Sequence, residues 1–325
     1  VARQLLGRLL HAAAICAVVA TSVFILMQFA PGDPFAASLE GPDVPPGVRA
    51  EWRARYGLDL PPGERFVRWA GALARGELGY AASRRLPVAD VVADALPRTL
   101  LLVGTALLLG FAAGVWIALL QTRHHRRWPD RVIGACTLVG VAVPEFLVAL
   151  VAMTWLGARW HIFPVAGIGS LGDAAAWPLW ERIIDLAWHL ALPTGVLALA
   201  VASRVARHQR AALLGVMRED FIRTARAKGL GEWDVLRRHA LPNAIGPVIA
   251  LLGLALPSLV GGAVLIERIF GWPGMGQTLF DALLARDYPL VVAAVLVATL
   301  LAVVARTLTD VIANAVAPRR GTGPL

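Results

Sequence analysis

Lysine is almost missing from this 325-residue chain. Lys and Arg total 31, and since the only lysine is Lys228 the other 30 are arginine. The phosphate-binding signature GxxxxGK[ST] needs a lysine followed by Ser or Thr. Lys228 is followed by glycine, so a P-loop of that kind is excluded. Cysteine is nearly as scarce. Cys16 and Cys136 both fall in apolar runs, which excludes a disulfide scaffold, and neither has a ligand-like neighbour for a metal. The seven histidines are scattered, and no Ser, His and Asp constellation marks a hydrolase. The sequence therefore offers neither catalytic nor metal-binding residues. Charge is also thin, at 16% of residues, against about 25% in an ordinary soluble domain.

What fills the space is apolar. Hydrophobic residues make up 58% of the chain, where about 45–50% is usual, and the mean hydropathy is +0.65. That excess belongs in lipid. A transmembrane helix needs about 20 largely apolar residues, and six runs qualify: 9–30, 99–120, 132–157, 186–206, 244–266 and 290–312. His189, Pro193 and Ser203 interrupt the fourth. The first is longer than the apolar region of a secretory leader, about 7–15 residues, and reads as a retained anchor. The fold class expected is an all-α integral membrane protein with six transmembrane helices.

Orientation follows from Lys and Arg in the short loops. Arg123, Arg126, Arg127 and Arg131 lie between spans two and three, and residues 204–243 carry nine basic residues. The opposing loops, 159–185 and 267–288, carry two each. Both termini are therefore expected in the cytoplasm. The net charge of +9 is then mostly topology, and no nucleic-acid partner is needed to explain it. Three regions result: a tail and first span (1–30), an external segment (31–98) and a five-helix core (99–320) with a cytoplasmic loop at 207–243. In the external segment, residues 48–58 and 63–78 read as short helices over the outer mouth. Trp52, Tyr56, Phe66, Trp69 and Tyr80 there require packing partners.

The cytoplasmic loop carries the strongest local pattern, EDFIRTARAKGLGEWDVLRRHALPNA at 219–244. It reads as helix, glycine break, helix, proline. Asp220 is placed to cap the first helix. Phe221, Ile222 and Ala225 share one face, with Arg223 and Arg226 on another. Gly229 supplies a left-handed stop, and Gly231 opens a second helix in which Trp233, Leu236 and Ala240 align. Asp234 and Arg238 form an i,i+4 pair, and Pro242 opens the next span. By spacing alone, such a loop serves equally as an orientation device or as apolar knobs for another protein's groove.

This loop resembles the EAA motif of the integral permeases of bacterial ATP-binding-cassette importers. The motif's Glu-Ala-Ala falls on Arg223, Thr224 and Ala225, its glycine on Gly229, and its Ile-x-Leu-Pro on residues 239–242. Arg223 and His239 depart from the general pattern. The strings RTARAKGL and RHALPNA are similar to the dipeptide, oligopeptide and nickel branch. PGDP (31–34), RYGLDLP (55–61), GELGY (76–80), LPRTL (96–100), IERIFGWPGMG (266–276) and RDYPLV (286–291) agree with that branch in order.

The resemblance implies a type I importer permease that moves dipeptides, oligopeptides or a related small cargo such as glutathione or nickel by alternating access. It implies, beside the lipid bilayer, three kinds of protein partner: a second, similar permease, two cytoplasmic ATPases and an external solute-binding protein. ATP and Mg would be used by those ATPases, with no cofactor bound by this chain. Carried over position by position, Arg223, Thr224, Ala225, Arg226, Ala227, Lys228, Gly229 and Leu230 would dock on an ATPase. His239 would belong to the same docking loop, and Leu241 and Pro242, counted with it, would pass the motion into span five. A self-sufficient ion-coupled transporter is the rival from another class. Such transporters often show repeated halves with broken helices, and no internal symmetry is visible in this sequence.

Ionisable residues inside spans usually face a protein interior or a water-filled path. Glu145, after Pro144 in span three, is placed to line a pathway for a cationic or amino-terminal group, or to be a structural Glu at a proline kink. Glu267, at the outer end of span five, is a second pathway position or half of an interfacial pair with Arg268. The GFAAG string at 110–114 would permit close helix approach.

Overall fold

A computed structural model of the chain describes residues 2–28, 46–47, 50–51, 60–170 and 177–316. Five helices cover the expected first, second, fourth, fifth and sixth apolar runs: α1 (Ala2–Gln28), α3 (Val88–Arg123), α6 (Leu179–Val216), α10 (Gly246–Ile269) and α12 (Tyr288–Val316). Among the described residues α3, α6 and the Tyr288–Ile312 part of α12 are each long and apolar enough to cross a bilayer alone. Among its described side chains α1 carries the apolar stretch Ala13–Leu26.

The third run departs from the single helix expected. It is split into α4 (Trp128–Ala142) and α5 (Glu145–Ala152), the latter continuing as a π-helical segment, Met153–Arg159. The two halves are bent by 102°. Pro144 is the cause: it has no N–H to donate, and its ring drives the preceding residue out of helical space. Val143 accordingly has φ −81° and ψ 126°.

The helices sort into two compact units. The first is built from residues up to 100 and from 271–303. One core in it joins Ala20 and Phe24 of α1 to Trp69 and Ala72 of α2 (Pro62–Ala74), with Tyr80 and Val292. The Phe24 ring lies 5.1 Å from Phe66 and 5.3 Å from Trp69. The expected 63–78 helix and three of the five external aromatics are thus placed. Trp52 and Tyr56, with most of 48–58, lie outside the described residues.

A small hairpin follows, pairing β1 (Tyr80–Ala81) with β2 (Leu86–Pro87) antiparallel. A second core then packs Val88, Val91 and Ala95 at the start of α3 against Met275 and Ala282 of α11 (Met275–Leu284) and Leu290 of α12. Three contacts tie distant strings together. The Trp272 indole N–H donates to the Arg98 carbonyl at 3.0 Å, and the Met275 N–H to Thr99 Oγ1 at 2.7 Å. The Ser83 N–H and hydroxyl both donate to Asp287 Oδ2, at 2.9 and 2.6 Å.

The second unit holds residues 101–270 and the chain from 304 onward. Here the glycines of GFAAG have a clear purpose, because α3 and α6 come close enough that side chains would not fit. A Cβ on Gly110 would stand 2.7 Å from the Val201 Cβ, and one on Gly114 2.6 Å from the Val205 Cβ and 2.8 Å from the Ala202 carbonyl. Overpacking of this kind costs roughly 1–3 kcal/mol, sometimes more. Gly114→Val is therefore expected to lower the thermal stability of the detergent-solubilised protein markedly, while Gly104→Ala, which meets nothing within 4 Å, should leave it nearly unchanged. Equal melting temperatures would rule out the close packing.

Candidate functional site

After α6 the chain turns through Met217 and Glu219 into α7, Asp220–Ala227. Its inner face is apolar: Ile222 and Ala225 are buried, in one core with Ala118 and Leu119 of α3 and Leu213 of α6. Phe221, expected on that face, is 42% exposed because its position is rotated away from Ile222. Asp220 is not the cap expected of it. Glu219 holds that position, and no side chain caps the helix. Asp220 instead accepts from Arg223 Nη1 at 3.2 Å through its carboxylate and from Thr224 Oγ1 at 3.1 Å through its carbonyl.

Gly229 ends the helix with φ +80°, the left-handed conformation that glycine reaches without a Cβ penalty. Across this break Arg226 grips Glu232 with two bonds, Nη2–Oε1 at 2.6 Å and Nε–Oε2 at 3.2 Å. The Glu232 hydrogen bond holds the Arg226 guanidinium above its ordinary pKa, against the opposing effect of burial. The second arm consists of α8 (Glu232–Asp234), a π-helical segment (Val235–Ala240) and α9 (Leu241–Ala244). Val235, Leu236, Ala240 and Ala244 are buried in the same core as Ile222. Trp233 stacks edge-on with Trp116 at 5.6 Å, with the guanidinium carbons of Arg123 and Arg237 at 5.5 and 5.8 Å from its ring. Asp234 and Arg238 form the expected pair at 3.2 Å.

The outward positions are now distinct from the anchoring ones. Arg223, Thr224, Arg226, Ala227, Lys228, Gly229 and Leu230 are exposed. Ala225, counted with them on sequence grounds, is 4% exposed and belongs to the core. It holds the loop and presents nothing outward. His239 and Leu241 are half-buried, and Pro242 is exposed. Just beyond, Gln209 Nε2 donates to the Ala244 carbonyl at 3.3 Å, joining α6 to the foot of α10.

Beside this loop lies a charge cluster that sequence reasoning missed. Asp130, in the first turn of α4, is 5% exposed and takes a forked grip from Arg210 of α6: Nη2–Oδ2 at 2.7 Å and Nε–Oδ1 at 2.9 Å. The Arg126 backbone N–H adds a third bond at 3.1 Å, and Gln121 Nε2 approaches at 3.4 Å. Arg126 and Arg210 read in the sequence as orientation charges only. The one available signal was an acid alone among bases at the mouth of an apolar run.

Of the two acids expected at the pathway, Glu145 sits in the first turn of α5, directly after the break at Pro144. Arg204 of α6 reaches it, Nη2–Oε1 3.2 Å, beside a cavity of about 310 Å3. Glu267 is fully buried near the end of α10. Among the described residues no group of three His, Cys, Asp or Glu side chains gathers as a metal site.

A membrane-embedded helical bundle carrying an anchored amphipathic hairpin defines the class, an integral permease subunit of an ATP-binding-cassette transporter. Residues 110–322 match the family described as binding-protein-dependent transport system inner membrane component, and the chain belongs to it. It is 34% identical to the oligopeptide transport system permease protein AppB of Bacillus subtilis, over 91% of this chain and 92% of that one. It is 33% identical to the glutathione transport system permease protein GsiC of Salmonella typhimurium, over 96% and 97%. In solved structures the fold is similar to the methionine ABC transporter MetNI in inward-facing conformations, with a TM-score of 0.56 and 17% identity, over 71% of this chain and 99% of that one. An amino acid ABC transporter gives a TM-score of 0.53 at 16% identity, over 70% and 94%.

Proposed function

We propose that this chain is one half of a peptide-importing permease, with residues 207–243 and both termini in the cytoplasm. A second, similar permease completes the channel, two ATPases consuming ATP and Mg drive it, and an external binding protein delivers the cargo. The chain itself performs no bond chemistry. The observation carrying this reading is the two-sided hairpin. Ile222, Ala225, Leu236 and Ala240 fix it in the core while Arg223, Lys228 and Leu230 are left facing outward. A force on the outer face passes through Leu241 and Pro242 into α10, with no flexible linker between α9 and that helix. Oligopeptide and glutathione relatives at this identity support a peptide cargo.

The test is cross-linking in the assembled transporter, with Cys16 and Cys136 replaced by serine. Single cysteines at Lys228 and Leu230 are expected to form nucleotide-sensitive cross-links to the ATPase subunit, whereas one at Leu108, exposed on α3, should form none. Labelling of Lys228→Cys from the external side, or cargo uptake by the chain without nucleotide, would overturn the assignment.

A further inference from the structure

Glu145 and Arg204 meet at a cavity whose wall also includes Gly140, Phe146, Ala200 and Leu265. Its volume of about 310 Å3 falls near the small end of the roughly 300–1,000 Å3 typical of ligand sites. The break at Pro144 falls in the middle of an apolar run, and Val143, Pro144 and Glu145 at that break all line the cavity. The charge pair there is unusually open. Among the described residues its one 3.2 Å contact is the single hydrogen bond either side chain makes. A guanidinium carries five donors and a carboxylate two acceptor oxygens, so most of this capacity is unused.

A pair serving only to neutralise charge in lipid would close into a fork, as Asp130 does with Arg210, about a turn and a half further along α6 from Arg204. Glu145 and Arg204 retain 25% and 41% side-chain exposure, and ion pairs that exposed are held weakly.

We propose that this cavity binds a zwitterionic solute of amino-acid or dipeptide size, its ammonium on Glu145 and its carboxylate on Arg204. Binding would exchange one loose ion pair for two, and the site would remain neutral throughout. A solute carrying only an amine or only a carboxylate would take one protein charge from its partner and leave the other without an opposite charge, so it gains less than a zwitterion does. The pair thus selects for both termini together. This deepens the permease reading and rests on it.

The experiment uses the purified chain in lipid nanodiscs with whatever ATPase subunits co-purify, and no binding protein. Saturation-transfer NMR measures alanyl-alanine, its N-acetyl form and its C-terminal amide. In wild type each capped peptide should bind about tenfold more weakly, equal to about 1.4 kcal/mol. Glu145→Gln should abolish the penalty for acetylation and keep that for amidation, and Arg204→Gln should do the reverse. A folding defect does not produce such a crossed pattern. Equal binding of the three peptides to wild type, loss of all binding in both variants, or variants that shift both preferences alike would overturn the site. ATPase co-purification, scored on the same sample, tests the permease reading separately: its presence without the crossed pattern removes the zwitterion site alone.

Discussion

Asp130→Ala should destabilise the protein by about 3–5 kcal/mol, the cost of breaking a buried ion pair by removing one partner. The carboxylate is 5% exposed and accepts from Arg210 twice, at 2.7 and 2.9 Å, and from the Arg126 N–H at 3.1 Å. Its loss strands a guanidinium that is only 29% exposed and deprives a turn of its acceptor. That turn holds Arg126 at φ +65°, a left-handed conformation costing a non-glycine residue roughly 1–2 kcal/mol, so the turn should loosen as well. Replacing both partners with apolar residues of similar size is often neutral or even favourable. Asp130→Leu combined with Arg210→Met should therefore recover much of the stability. Thermal denaturation of the solubilised protein decides the matter. A single variant as stable as wild type, or a double variant worse than the sum of the singles, would show that the fork contributes little.

Trp272→Ala should cost about 3–5 kcal/mol, the usual range for truncating a buried aromatic. Trp272 has no exposed surface and is the largest fully buried side chain among the described residues, and its indole N–H donates to the Arg98 carbonyl. Removing it opens a cavity between the start of α3 and the segment leading into α11, where Met275 N–H and Thr99 Oγ1 are bonded at 2.7 Å. Trp272→Phe separates the two contributions. It keeps most of the volume and loses one hydrogen bond, so the loss should shrink towards the 1 kcal/mol scale of an unmade bond. Melting temperatures of the two variants should differ clearly, with alanine the lower. Limited proteolysis should cut the alanine variant faster near Arg84 and Arg98. If both variants melt alike, cavity formation is not the dominant loss.

Much of the architecture was legible without coordinates, because the features involved are periodic or steric. Apolar runs announce membrane helices through length alone. Gly229 marks a stop because only a residue without a Cβ enters φ +80° freely, and Asp234 with Arg238 follows from helical spacing. The first helix of the loop shows the limits of that logic. Asp220 had the right chemistry for a cap, but the helix begins one residue earlier than expected, at Asp220 itself, which leaves Glu219 in the cap position. Phe221 had the right polarity for the core, yet Ile222 and Ala225 suffice to seat so short a helix, and the phenyl ring is left outside.

The sequence by itself determined the membrane class, the two-armed loop and the family strings, since each depends on residues near one another in the chain. Only the tertiary structure decided which charges meet. Arg204 reaches Glu145 across 59 positions and Arg210 reaches Asp130 across 80, and Trp272 finds the Arg98 carbonyl from 174 positions away. Electrostatic attraction and packing act through space with no regard for sequence separation, so no local pattern encodes these partners. The 102° break in the third run belongs to both. Pro144 made a kink legible, while its angle was left to the helices packed around it.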